Sequence, residues 1–262
     1  MKIYIMTDLE GPAMVSTFAQ TRRSGEPKNQ KLKQQAMQLL TGEVNAAVDG
    51  ILDTNPQSEI IVWDGHGSGG IDIMSFHPKA KLITRGPIKP PYYLDSSFNG
   101  VFFVGQHAMA GTKNAPLCHT YSSKGIEYYK LNDQFVGEFG ARTIMAGTLG
   151  VPTVFISGDD KAVAEARALV PQIHAATVKQ GLGHELALHL SPKAAQELIR
   201  ETARKAADDI CNIPPVIVEP PYAQEIRVKE GVGIQDYLTH KAKQLDERTV
   251  LLESDNICDL MI

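Results

Sequence analysis

Three cysteines in 262 residues, Cys118, Cys211 and Cys258, are too few and too widely spaced for a disulfide framework, and none forms a CxxC zinc motif. Positive charge is scarce as well. Against 30 Asp and Glu stand 26 Lys and Arg, the net charge is −4, and no basic stripe marks a nucleic-acid footprint. No apolar run approaches the length that spans a bilayer. The N-terminal apolar run meets an acid at Asp8, too early for a signal peptide, so the expected compartment is the cytoplasm. The glycine-rich stretch after Asp64 lacks the Lys-Ser/Thr of a phosphate-binding loop, and His174, His184 and His189 lack the spacing of a helical zinc pair. What remains is a chain with 43% apolar and 21% charged residues, the balance of a soluble globular protein large enough to bury a substantial core. No internal repeat is visible.

The apolar run Ile3 to Met6 stops at Asp8-Leu9-Glu10-Gly11, the pattern of a buried strand closed by a turn. Helical spacing of apolar residues predicts a helix from about Gln30 to Leu52, ended by Asn55-Pro56. A second strand, Glu59 to Trp63, completes a βαβ unit and therefore a parallel pair. Further strands are expected at about 80–84, 100–105, 127–131, 151–157, 223–228 and 249–253. Helices are expected from Phe135 to Leu149, from Lys161 to Leu169 with Asp159 or Asp160 as cap, and from Ser191-Pro192 to about Ile210. Ile234 to Leu245 reads as helical, and Asp255 as the cap of a short terminal helix. Pro87, Pro90 and Pro91 mark irregular chain, and the segment holding His174, His184 and His189 is only weakly patterned, its histidines structural or exposed. The fold class is α/β: a mostly parallel sheet with flanking helices, plus a smaller C-terminal α+β subdomain. The expected division is 1–190 and 191–262.

Side chains two apart on a strand point the same way, so Asp8 and Glu10 project together from the strand's carboxyl end. Adjacent carboxylates repel unless a cation sits between them, which points to a metal site; an ordinary acidic strand end is the plainer account. His66 follows the second strand and His107 the third, and parallel pairing brings these ends to one sheet edge. Glu138, between Phe135 and Phe139, falls on or beside the apolar side of its helix, where a carboxylate needs a salt bridge or a metal. In the small, polar loop before Lys124, His119 reads as general base, nucleophile or surface residue. Cys118 reads as a thiol nucleophile or, in preference, a small buried filler. Mixed His and carboxylate donors suit Zn²⁺, with Mn²⁺ or Co²⁺ as alternatives, and the set is large enough for two ions about 3.5–4 Å apart.

The ordered set Asp8-Leu9-Glu10-Gly11, Asp64-Gly65-His66, Gly105-Gln106-His107-Ala108, Cys118-His119, Asn132-Asp133 with Val136-Gly137-Glu138, and Gly158-Asp159-Asp160 resembles the bacterial zinc-dependent D-aminopeptidases of the dipeptide-transport operon type. The resemblance implies that Asp8 bridges two zinc ions, that Glu10 and His66 complete one, and that His107 and Glu138 complete the other. It implies a catalytic role for His119, here preferred as general acid/base over nucleophile. It further implies cleavage of an N-terminal D-residue, such as D-Ala, from short peptides, by a ring-shaped homodecamer. The rival enzyme is a two-metal phosphoesterase, which the same ligands would serve; no Arg or Lys clamp flanks the ligands in sequence, which counts against it. A non-catalytic, metal-dependent binding module is the alternative from another class.

Overall fold

The first apolar run folds as β1 (Lys2–Thr7), fully buried from Ile3 to Thr7, in a computed structural model that describes residues 1–84, 88–238 and 241–261. After the single turn α1 (Phe18–Thr21) comes α2 (Pro27–Thr54), with Pro27 at its first position and Ala36, Leu40, Val44, Ala47, Val48 and Ile51 along its buried face. β2 (Glu59–Asp64) pairs parallel with β1, Thr7 opposite Asp64, so the two carboxyl ends are level. β3 (Ala80–Ile83) pairs with β2, and β4 (Gly100–Gln106) pairs with the other side of β1. The chain continues through the hairpin β5 (Ile126–Leu131) and β6 (Gln134–Phe135), α3 (Glu138–Thr148), β7 (Thr153–Asp159), α4 (Asp160–Leu169), β8 (His174–Gly183), β9 (Leu186–His189), α5 (Pro192–Asp208), β10 (Tyr222–Val228), β11 (Ala242–Gln244) and β12 (Thr249–Ser254).

The larger sheet has the order β3-β2-β1-β4-β7-β8-β9, parallel except for β9. The chain leaves β1 towards β2 and β3, then returns to place β4 on the opposite side. The carboxyl ends of β1 and β4 therefore flank a topological switch point, where open α/β sheets bind ligands. Right-handed crossovers in opposite directions put α2 on one face of the sheet and α3 with α4 on the other. α5 packs on α2. The fold class is thus a mostly parallel sheet flanked by helices, accompanied by an antiparallel sheet of order β11-β12-β10-β5-β6.

That second sheet takes β5 and β6 from before residue 190 and β10, β11 and β12 from after it. Several local expectations change. Phe135 pairs with Lys130 in a hairpin turned by Asn132 and Asp133, both at positive φ (49° and 64°), and the helix starts at Glu138 instead. The weakly patterned segment is the β8–β9 hairpin: β8 lies between β7 and β9, which obscures simple alternation. In place of a helix over 234–245 there is one 3₁₀ turn, Gln235–Tyr237, and the strand β11. The terminal helix is a single 3₁₀ turn, Ile257–Asp259, capped by the Asn256 side chain rather than Asp255. Ser191 and Asp159 cap their helices as expected. Pro87 lies outside the described residues.

Candidate metal centre

Asp8 and Glu10 leave the end of β1, His66 follows β2, and His107 follows β4, so three neighbouring strands deliver four side chains to one place. The backbones approach very closely there. A Cβ on Gly11 would lie 2.1 Å from the Gly105 carbonyl carbon, and one on Gly105, at φ +82°, would lie 2.1 Å from the Asp8 carbonyl oxygen. Glu138 enters from the first turn of α3, where the helix dipole favours a carboxylate, and its Oε1 accepts the Tyr121 N–H at 2.8 Å. His119 comes from the loop after β4 and stacks on His107, ring centroids 4.1 Å apart and 10° from parallel. Asp8, Glu10, His107 and Glu138 are all buried.

The two Asp8 oxygens face different histidines. Oδ1 lies 3.0 Å from His66 Nδ1 and Oδ2 lies 3.2 Å from His107 Nε2. Glu10 Oε2 is 3.1 Å from His66 Nδ1, Glu138 Oε1 is 3.6 Å from His107 Nε2, and His119 Nε2 is 3.9 Å from the same Glu138 oxygen. Each imidazole spends its other nitrogen on a main-chain carbonyl. His66 Nε2 donates to Thr21 at 3.0 Å, His107 Nδ1 to Ala108 at 2.9 Å, and His119 Nδ1 to Leu117 at 2.7 Å. A carbonyl only accepts, so one N–H is fixed on that side and the second ring nitrogen faces the carboxylates. The carboxylates call for positive charge at that place, which a proton on the imidazole or a metal ion bound there in its stead supplies.

Two observations fit a metal to these residues. Glu10 Oε2 and His107 Nε2 are buried with no hydrogen-bond partner among the described residues. The donors also sort into two groups, Asp8 with Glu10 and His66, and His107 with His119 and Glu138, within each of which the ligand atoms lie within 4.8 Å of one another. The electrostatics agree. Burial alone would push the His66 and His107 imidazoles down, yet the facing Glu10, Asp8 and Glu138 carboxylates hold both well above the ordinary histidine value. Burial likewise opposes ionisation of Asp8, but His107 and His66 keep it well below the usual carboxylate range. Glu138 is held at about 2 against its burial, chiefly by Arg142, whose Nη1 lies 3.2 Å from Oε2, and by His107. His119 goes the other way: burial and the neighbouring His107 lower it, so its free nitrogen is unprotonated at neutral pH.

The cluster opens into a cavity of about 350 Å³, also lined by Arg22, Arg23, Ser68, Tyr121, Ser123 and Arg142. The arginines correct the sequence-based expectation that no basic side chain stands beside the ligands. Cys118 faces a different cavity, its Sγ 3.5 Å from the Thr112 carbonyl and 4.0 Å from His184 Nδ1. Burial pushes its thiol up, which suits a packed filler rather than a nucleophile.

Several supporting roles escaped the sequence reading. Arg142 sits one helical turn after Glu138, a spacing that would have identified the pair once the helix was placed. Asp64 Oδ1 and Oδ2 accept the N–H groups of Gly70 and Ile71 at 2.9 and 3.3 Å, folding the glycine loop that presents His66. Lys179 of β8 is buried and donates to the carbonyls of Glu10, Pro12 and Val15, pinning the segment that follows β1. Glu165 of α4 accepts Met109 N–H at 3.0 Å and Gly137 N–H at 3.2 Å, tying the segment after His107 to the start of α3. No local pattern marks Lys179 or Glu165.

The profile of a peptidase family, Peptidase_M55, described as D-aminopeptidase, matches residues 1–262. A D-aminopeptidase of Bacillus subtilis (strain 168) is 29% identical over 222 residues, which covers 82% of this chain and 77% of that protein. The fold superposes on the Zn-dependent D-aminopeptidase DppA from Bacillus subtilis, described as a self-compartmentalizing protease, with a TM-score of 0.89 and 25% identity over 98% of this chain and 93% of that one. With its whole length matched and its sheet, switch point and donor cluster in place, this protein belongs to the D-aminopeptidase family and is a hydrolase of the metallopeptidase type.

Proposed function

We propose that this protein is a two-metal aminopeptidase that removes an N-terminal residue, a D-amino acid such as D-Ala, from short peptides or amides. The observation that carries the two-ion reading is Asp8, whose oxygens turn separately towards His66 and His107. In this reading Asp8, Glu10 and His66 would hold one ion, and Asp8, His107 and Glu138 would hold the other. When bound, such ions supply Lewis acidity, polarising the scissile carbonyl and lowering the pKa of water. Zinc is the favoured metal on the donor set and on the zinc dependence stated for the similar structure.

The chain's own contribution is positional and protonic. His119, neutral, half-buried beside the cavity and fixed through Nδ1 by the Leu117 carbonyl, turns Nε2 towards the cluster. It would take a proton from the attacking water as the C–O bond forms and give it to the leaving amine as the C–N bond breaks, acting as general acid/base. Arg142 keeps Glu138 ionised, and the stack of His107 on His119 holds both rings in one orientation. The homo-oligomer expected from the sequence is supported by the self-compartmentalizing description of the similar structure. A ring of ten subunits enclosing the sites is the form we propose.

The experiment is metal analysis of the purified protein joined to a screen of D- and L-aminoacyl amides, with p-nitrophenyl phosphate as the rival substrate. Two equivalents of zinc, cleavage of D-aminoacyl amides, and loss of that cleavage on chelation without unfolding are expected. One equivalent would refute bridging by Asp8, a preference for L-compounds would refute the stereochemical assignment, and phosphate-ester cleavage alone would favour the phosphoesterase.

A further inference from the structure

The segment joining α1 to α2 places Arg22 and Arg23 on the wall of the metal-site cavity and of an adjoining one of about 530 Å³. The metal-site cavity is lined by both signs of charge: the carboxylates of Asp8, Glu10 and Glu138, and the guanidinium groups of Arg22, Arg23 and Arg142. Arg142 is already committed to Glu138 and packs among the rings of Trp63, Tyr92 and Tyr121. Arg22 is not committed in that way. Its guanidinium lies 3.8 Å from the Phe18 ring centroid, Nη2 donates to Ser123 Oγ at 2.9 Å, and no carboxylate among the described residues lies within ion-pair distance. It is therefore a cation whose partners are neutral. Its position relative to the metal cluster is also fixed, because the preceding residue, Thr21, accepts the His66 Nε2–H through its carbonyl.

We propose that Arg22, with Arg23 beside it, receives the C-terminal carboxylate of the substrate, so that the enzyme selects very short peptides with a free α-carboxylate. The inference rests on the peptidase reading above. A dipeptide carries a free amine at one end and a carboxylate at the other, the complement of a cavity lined both by metal-binding carboxylates and by arginines. A planar guanidinium can bind such a carboxylate bidentately. A cavity of about 350 Å³ lies at the small end of the range for ligand sites, about 300–1,000 Å³. Amidation removes the charge and one acceptor oxygen while leaving the scissile bond unchanged.

The test compares the zinc-loaded enzyme on D-alanyl-D-alanine and on its C-terminal amide, with the L-alanyl pair alongside. The free acid is expected to have the higher kcat/KM, by roughly 10- to 100-fold, with the difference in KM. Arg22→Met should collapse that ratio towards one through a higher KM for the acid, at unchanged zinc content, and Arg22→Lys should restore part of it. Equal kcat/KM for acid and amide in the wild type would overturn the subsite. So would an Arg22→Met variant that lowers both alike and keeps the ratio, since that marks a structural role. Cleavage of neither compound, nor of an aminoacyl anilide, would overturn the peptidase reading and the subsite with it.

Discussion

Asp8 is the residue on which the donors converge, and its two oxygens are not equivalent: one faces His66, the other His107. If both are metal ligands, removing the carboxylate disturbs both ions at once. Asp8→Ala should therefore purify with less than one equivalent of zinc, measured by elemental analysis, where a ligand serving one ion would leave one equivalent behind. His119 should behave in the opposite way. Its ring is oriented by the Leu117 carbonyl and its pKa is lowered by burial, properties of a proton carrier. His119→Ala should cut kcat by roughly 10²- to 10⁴-fold while the zinc content stays at the wild-type value. A loss of metal in that variant would make His119 a ligand.

Helices, strands and turns set how tightly those residues are held. β1 and β4 meet at their ends through Gly11 and Gly105, where any Cβ would strike main-chain atoms that cannot move aside. Gly105→Ala must also hold φ at +82°, so a destabilisation of at least about 2 kcal/mol is expected, together with weaker zinc binding, since the clash falls on the Asp8 carbonyl. A melting curve and a zinc titration on the same sample check both. The β8–β9 hairpin works from the other side of the loop: besides Lys179, its His189 accepts the Met14 N–H at 2.9 Å, and Glu185, in its turn, accepts that of Phe18 at 2.7 Å. Glu165 adds a pH dependence. Burial raises its folded pKa to about 7 from 4.5, so the folded state binds the proton more tightly. That stabilisation is complete below about pH 4.5 and is lost as pH rises through about 7. Part of the side chain stays accessible, so screening reduces the change to about 1–2 kcal/mol. Chemical denaturation at pH 5 and pH 8 should show the decline, and Glu165→Gln should flatten it by that amount.

Across the molecule, the larger sheet ends at β9 with a line of uncovered side chains: Leu186 and Leu188 are 58% and 62% exposed, and Leu182 at the end of β8 is 50% exposed. An exposed apolar edge strand invites pairing with another chain. We place this edge at the subunit contacts of the proposed ring. Leu188→Lys should shift the protein to a smaller species in light scattering after size exclusion, and an unchanged mass would move the contacts elsewhere. The smaller sheet combines β5 and β6 with β10, β11 and β12, and α5 is packed on α2. Among the described residues no helix is long and apolar enough to cross a membrane.

The amino-acid sequence by itself determined the parts that follow from local periodicity and chirality. A strand's period of two puts Asp8 and Glu10 on one side, and a right-handed βαβ unit brings His66 to the same edge. His107 repeats the pattern of a histidine directly after an apolar strand, here β4. The tertiary structure alone decided that β4 lies beside β1, which turns a row of strand ends into a switch point. It also decided that α3 aims Glu138 into the cluster from its first turn, and that β8 sends Lys179 under the Glu10 loop. Arg22 reaches the cavity wall by the same kind of long-range meeting, held by Ser123. These contacts join residues far apart in the chain, such as Lys179 with Glu10 and Arg22 with Ser123, and nothing local encodes them. Which distant segments meet depends on strand order, and strand order is settled only when the apolar faces of the sheet and its helices are buried together.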